Sequence, residues 1–225
     1  MALQRPSAVA FDVIGTLFSL EPLRGVLEGA GLPGGALETL FAETLRDAFA
    51  LAATGAFQPF SAVMDTNLDT LLRRHGVALA AVTRKLAAAA MKDLPPYPDA
   101  TEALATLASA GIPVLALSNG GSEATEALIR GAGLTRAVKL VVSVDEVELA
   151  KPRPEVYRHA AQRAGVAPGR LALIAAHPWD IQGAKSAGLM AGFVARGLPF
   201  PPTMVAPDVQ GETLADVARK LAGGA

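Results

Sequence analysis

Five short apolar runs, each closed by a turn and followed by a helix-length segment, constrain this chain more than any other feature. Ser7–Phe11 leads into Asp12, Pro113–Leu117 into Ser118-Asn119-Gly120-Gly121, and Val138–Val142 into a polar stretch. Leu171–Ala175 precedes His177-Pro178, and Ala191–Ala195 precedes Arg196-Gly197. Short apolar runs of this kind suit strands buried on both faces, as in a parallel sheet. The segments between them have helical ends. Asp99 is placed to cap Ala100–Ala110 ahead of Gly111, and Ser122 to cap a helix reaching about Ala132 ahead of Gly133. Pro154 opens a stretch closing at Gly165, and Pro178 one closing at Gly188. The alternation predicts an α/β class, with a doubly wound sheet whose active loops lie at the strands' C-terminal ends.

One region breaks the alternation. From about Leu20 to Pro95 no strand-like run occurs, only helical spacing. Leu37, Leu40, Phe41, Leu45, Ala48 and Phe49 fall on one stripe. Leu68, Leu71 and Leu72 begin a second, and Val82, Leu86 and Ala89 a third. Leu94-Pro95-Pro96-Tyr97-Pro98 cannot continue a helix and reads as a stiff return. The expected organisation is a core of residues 1–19 and 96–225, interrupted at 20–95 by a helical cap over the sheet's active edge.

Composition narrows the partners. The 225-residue chain is 51% hydrophobic with a formal charge of −1. A polyanion such as nucleic acid or an acidic membrane surface would find no counter-charge on it. Its apolar runs fall far short of the ~18 residues needed to cross a bilayer. The opening Met-Ala-Leu-Gln-Arg-Pro has no apolar signal core. The absence of Cys removes disulfides, thiolate nucleophiles and zinc–thiolate sites. The expectation is a cytoplasmic protein acting on a small molecule, with neither nucleic acid nor membrane as partner. The apolar cap helices suit a homodimer interface as well as a monomer's core.

Chemistry concentrates at the run ends. Asp12, in Phe11-Asp12-Val13-Ile14-Gly15-Thr16, is either a nucleophile at a strand tip or merely a cap for the succeeding turn. Thr16 can fix that carboxylate, and Gly15 permits the tight turn. Ser118 and Asn119 can donate to an anionic group near Asp12, or simply form a turn. Lys151, between Ala150 and Pro152-Arg153-Pro154, can keep a neighbouring carboxylate ionised, or be a solvated loop lysine. Asp180 sits in the first turn of a helix, where it can orient water or hold Lys151, or merely favour the helix dipole. His75 and His159 read as surface helix residues.

Taken together and in this order, the Asp-x-x-x-Thr, Ser-Asn, Lys-Pro and strand-end Asp motifs resemble the haloacid dehalogenase superfamily of hydrolases. The resemblance runs from Ala8 to about Ala195 and implies a Rossmann-like core carrying a cap. Phosphatases of that superfamily carry a second Asp where Ile14 stands, and an acid where Ala176 stands. Without them, a magnesium site and a proton donor for a leaving alkoxide are both wanting. Halide leaves without a proton, so no metal and no cofactor is expected.

Ser118-Asn119-Gly120, Ser143-Val144-Asp145-Glu146, Tyr157 and Trp179-Asp180 resemble the L-2-haloacid dehalogenase branch. That resemblance implies hydrolysis of short 2-haloalkanoic acids through an ester on Asp12. Lys151 and Asp180 would balance charge and position water, Ser118 would hold the substrate carboxylate, and Asn119, Thr16 and Tyr157 would support them. Ile14, Phe41, Leu45, Phe60, His177 and Trp179 would face the substrate or its leaving group. The branch commonly has Tyr where Ile14 is and a cap Arg where Phe41 aligns, and Arg46 lies about one turn beyond. It often has Ser and Asn where Ala175 and His177 stand. His177 could replace the Asn, bind halide when protonated, or sit neutral on a loop carbonyl. A phosphatase with a reduced metal site and a catalytically weak binding module are the alternative readings.

Overall fold

The computed structural model describes residues 4–223. Six parallel strands form one sheet: β1 (Ala8–Asp12), β2 (Val114–Ser118), β3 (Val138–Ser143), β4 (Leu171–Ala175), β5 (Met190–Val194) and β6 (Val209–Gly211). Their order is β3-β2-β1-β4-β5-β6. β1, β2, β4 and β5 are buried along their whole length, which is why each reads as an unbroken apolar run. Side chains alternate between two cores. Val9 and Phe11 face the helices α5 (Ala100–Ser109), α6 (Ser122–Gly131) and α9 (Leu214–Leu221). Ala8 and Ala10 face α7 (Pro154–Arg163) and α8 (Pro178–Ser186). The winding reverses at β1, which places its C-terminal end in the crevice where open α/β sheets bind ligands.

Between β1 and α5 the chain makes four helices: α1 (Glu21–Gly29), α2 (Ala36–Ala53), α3 (Phe60–Arg74) and α4 (Ala80–Ala90). The outgoing and returning strands of chain are tied where they cross. Ser19 N–H donates to Pro95 O at 2.9 Å, and Tyr97 N–H to Leu17 O at 2.9 Å. Leu37, Leu40, Leu68, Leu71 and Leu72 are buried in the same core as Phe11, so the first two stripes pack as their spacing predicts.

Several local expectations are corrected. On α4 the inward face is Thr83 and Ala87, whereas Val82 and Leu86 are more than half exposed. Small inward residues let α4 lie close, and the larger apolar ones border a groove against α1. Asp99 precedes α5 but does not cap it; its carboxylate accepts from Leu214 N–H at 2.7 Å, joining the starts of α5 and α9. Gly121, not Ser122, holds the cap position of α6. His159 is half-buried and paired with Glu146. β6 and α9 add to the expected elements. Among the described residues no helix is long and apolar enough to cross a membrane.

Candidate active site

Three strand ends and two loops converge at the crevice. β1 ends in Asp12, which is 4% exposed, and the following turn places Gly15 at φ 81°. A Cβ there would lie 2.7 Å from His177 Nε2, so both the backbone and the space demand glycine. This turn brings Thr16 back under Asp12. The Thr16 hydroxyl donates to Asp12 Oδ2 at 2.6 Å and accepts from Ala176 N–H at 2.9 Å.

Lys151 is fully buried and spends all three ammonium protons locally. Nζ donates to Asp12 Oδ1 at 2.7 Å, Asp180 Oδ2 at 2.7 Å and Leu117 O at 3.2 Å. Its main chain is fixed as well, because Lys151 N–H donates to Asn119 Oδ1 at 2.9 Å. The second oxygen of Asp180 accepts from the Tyr157 hydroxyl at 2.6 Å. The result is a buried chain of Thr16, Asp12, Lys151, Asp180 and Tyr157 in which each charge has a partner.

The electrostatics stem from burial and this wiring. Burial alone would push Asp12 up; the charge of Lys151, the electrostatic influence of His177, and hydrogen bonds from Lys151 and Thr16 outweigh it and hold Asp12 below its usual value. Asp180 goes the other way: burial, with Asp12's negative charge, exceeds the help from Lys151 and Tyr157. Lys151 is depressed by burial but raised further by the two carboxylates, ending above the ordinary lysine value. Burial, with Asp180 alongside, pushes the Tyr157 hydroxyl well up, so it remains a donor.

Above Asp12 lies a cavity of about 20 Å³, bounded by Ile14, Phe41, Leu45, Phe60 and Trp179 on the apolar side and by Ser118, Asn119 and Gly120 on the polar side. Ser118 Oγ accepts from Gly120 N–H at 2.9 Å, which leaves its own hydrogen free to donate. Phe41 packs edge-on to Phe60 and tilted on His177, and His177 stacks on Trp179 with centroids 5.4 Å apart. Lys151 Nζ lies 5.6 Å from the Trp179 ring centroid.

Tyr157 and His177 stand behind this wall rather than on it. His177 Nε2 lies 3.0 Å from Ile14 O and 3.6 Å from Asp12 Oδ2. A carbonyl can only accept, so that nitrogen carries a proton. Arg46 points away and pairs with Asp47.

One contributor is not marked as such by the sequence motifs, and one motif residue has no role assigned from the sequence. Phe49 packs edge-on to Trp179 at 5.3 Å; the available signal is the i, i+4, i+8 spacing of Phe41, Leu45 and Phe49 on one helical face. Ser143, which opens the Ser143-Val144-Asp145-Glu146 motif, donates to Gly120 O at 2.9 Å and steadies the Ser118 turn.

The donor set does not fit a divalent cation. Among the described residues no cluster of three or more His, Cys, Asp or Glu could hold one. The two carboxylates that could contribute are bridged by Lys151 instead.

A family model described as haloacid dehalogenase-like hydrolase matches residues 6–188. (S)-2-haloacid dehalogenase 1 of Pseudomonas sp. strain CBS-3 is 31% identical over 185 residues, 80% of this chain and 81% of that one. A phosphoserine phosphatase of Thermus thermophilus is also 31% identical, over 92% of this chain and 95% of its own. The structure of L-2-haloacid dehalogenase from Xanthobacter autotrophicus with chloropropionic acid covalently bound superposes with a TM-score of 0.85 at 26% identity, covering 98% of this chain and all of that one. With a matching family model over most of its length and the motifs gathered at one crevice, the chain belongs to the haloacid dehalogenase-like hydrolase family.

Proposed function

We propose that this protein hydrolyses the carbon–halogen bond of 2-haloalkanoic acids through an ester on Asp12, without a metal. The observation that carries the reading is Lys151 Nζ at 2.7 Å from both Asp12 and Asp180 beneath an apolar-walled cavity. The ammonium holds Asp12 ionised, and the aromatic wall suits a polarisable halide. Asp12 attacks C2 from the side opposite the halogen; the C2–O bond forms as the carbon–halogen bond breaks, and halide departs with the electron pair. Ser118, with its free hydrogen, and neighbouring backbone N–H groups receive the substrate carboxylate. Water then adds to Asp12 Cγ and gives its proton to Asp180. Collapse breaks the bond between Cγ and the C2 oxygen as Asp180 gives its proton to that oxygen; the 2-hydroxy acid leaves with inverted configuration at C2, and Asp12 loses the remaining proton to solvent and returns as carboxylate.

A phosphatase reading is not favoured. Ile14 supplies no acid for a leaving alkoxide, and Lys151 occupies the space between the two carboxylates that a divalent ion would need. The cytoplasmic setting belongs to the same proposal and rests on the cysteine-free sequence.

The test is a release assay for halide from 2-halopropanoates and for phosphate from small phosphomonoesters, with magnesium and with chelator. Chelator-insensitive halide release is expected. Asp12→Asn is expected to remove it, and multiple turnovers in oxygen-18 water to place the label in Asp12. Label confined to the product would mean direct attack by water, and magnesium-dependent phosphate release would establish the phosphatase.

A further inference from the structure

We infer that the substrate's tail, from C3 outward, occupies a second, apolar chamber opening from the reaction cavity, so that medium-chain 2-haloacids are the preferred substrates. This deepens the dehalogenase proposal and rests on it.

The reaction cavity of about 20 Å³ has room for roughly one water, so an acid seated on Asp12 must extend beyond it. A chamber of about 620 Å³ adjoins it, and Ile14, Phe60, Ser118 and Gly120 line both. That volume falls in the range of sites for small organic ligands. Its walls come from α2, α3, α4 and α6, chiefly Leu40, Met64, Leu68, Ala87, Met91 and Leu128. The chamber opens to solvent at a polar rim, and contiguous apolar surface left open on a folded chain marks binding grooves. A chamber of this size, continuous with the reaction cavity, is therefore suited to apolar substrate atoms.

Charge supports the direction of the tail. Arg84 on the chamber wall is held by Asp65 at 2.9 Å, and Lys92, Glu123 and Asp145 are exposed. The end nearest Asp12 carries Ile14, Phe60 and the Ser118 turn, with the exposed Asp145 carboxylate beside Gly121 at the rim. The carboxylate thus stays at Ser118 while methylenes run outward. At the junction stands Ile14, which lines both spaces.

The experiment measures kcat/KM for halide release from 2-bromopropanoate, 2-bromohexanoate and 2-bromooctanoate, using the wild type, Met91→Trp and Ala88→Phe. Calorimetry of 2-hydroxyoctanoate and 2-hydroxypropanoate binding runs in parallel. Specificity is expected to rise by up to roughly threefold per added methylene. Both substitutions should lower the octanoate-to-propanoate ratio roughly tenfold; Ala88 is exposed on α4, where a larger side chain is tolerated. A ratio near one in the wild type, or variants that slow both acids equally, would overturn the inference and leave the chamber an access route. If no acid releases halide, the dehalogenase proposal fails and calorimetry decides the chamber alone. Tighter 2-hydroxyoctanoate binding that Met91→Trp removes would uphold it, and equal binding of the two hydroxy acids would reject it.

Discussion

One ammonium group holds the site together. Lys151 bridges two carboxylates that would otherwise repel each other in a buried crevice. Replacing it by Met leaves both uncompensated, at a cost of about 3–5 kcal/mol. For a chain of this length that corresponds to a fall in Tm of about 6–20 °C. Because Asp180 lies above its usual value, it accepts a proton readily as pH falls. The Lys151→Met penalty should therefore shrink as pH falls, which melts at neutral and at acid pH will show; an equal penalty would mean the carboxylates are screened in another way. On the proposed mechanism, the same opposed shifts separate the two chemical steps. As pH falls, Asp180 is protonated first and can no longer take the proton from water, while Asp12, held low by Lys151 and His177, remains able to attack. Rapid-quench halide bursts should persist below the pH at which steady turnover fails, with ester mass accumulating on the protein. Coincident acid limbs for burst and turnover would show that one group governs both steps.

At the level of elements, α7 and α8 approach so closely at Gly183 that a Cβ would lie 2.7 Å from two ring carbons of Tyr157. Gly183→Ala should force that ring away from Asp180, costing about 1–3 kcal/mol through overpacking and lowering kcat. Gly25→Ala in α1, where nothing lies within 4 Å, should instead be neutral or stabilising by up to about 1 kcal/mol. Equal melting shifts for the two variants would refute the packing argument. The strands and their functional ends are legible in the sequence because burial on both faces leaves an unbroken apolar run, as at Val114–Leu117, and because Asp12, Ser118 and Lys151 each follow or border such a run. β6 is not, since Val209-Gln210-Gly211 is a half-buried edge strand with no run to record it. α9 does carry a signal: Leu214, Val217, Ala218 and Leu221 fall at helical spacing, behind the reciprocal cap of Thr213 and Asp216. Spacing misplaces the α4 face because it names a stripe without saying which stripe is inward; Thr83 and Ala87 lie at the same i, i+4 spacing as Val82 and Leu86. Cavity volume leaves no trace in spacing at all, so neither the tight reaction cavity nor the chamber beside it can be read from the chain.

For the molecule as a whole, the tightness of the reaction cavity poses a problem of access. Its walls come from both sides: Phe41 and Leu45 of α2 and Phe60 of α3, against Ser118 and Trp179 at the sheet edge. Substrate that does not enter through the adjoining chamber therefore requires α2 and α3 to draw back from the strand ends. The paired crossings at Leu17–Ser19 and Pro95–Tyr97 are the natural pivot, being where the insertion's two connections are bonded to each other. Trp179 is the only tryptophan and meets Phe49 across this seam, so its emission reports on opening without any label. If the free protein opens and ligand closes it, the acrylamide quenching constant of Trp179 should fall when 2-hydroxypropanoate saturates the site. Phe49→Ala removes one side of the seam and should raise quenching in the free protein while narrowing the ligand effect. A quenching constant indifferent both to ligand and to Phe49→Ala would mean that the two sides do not part. Access would then have to run through the apolar chamber past Phe60, and substitutions there would govern short and long acids alike.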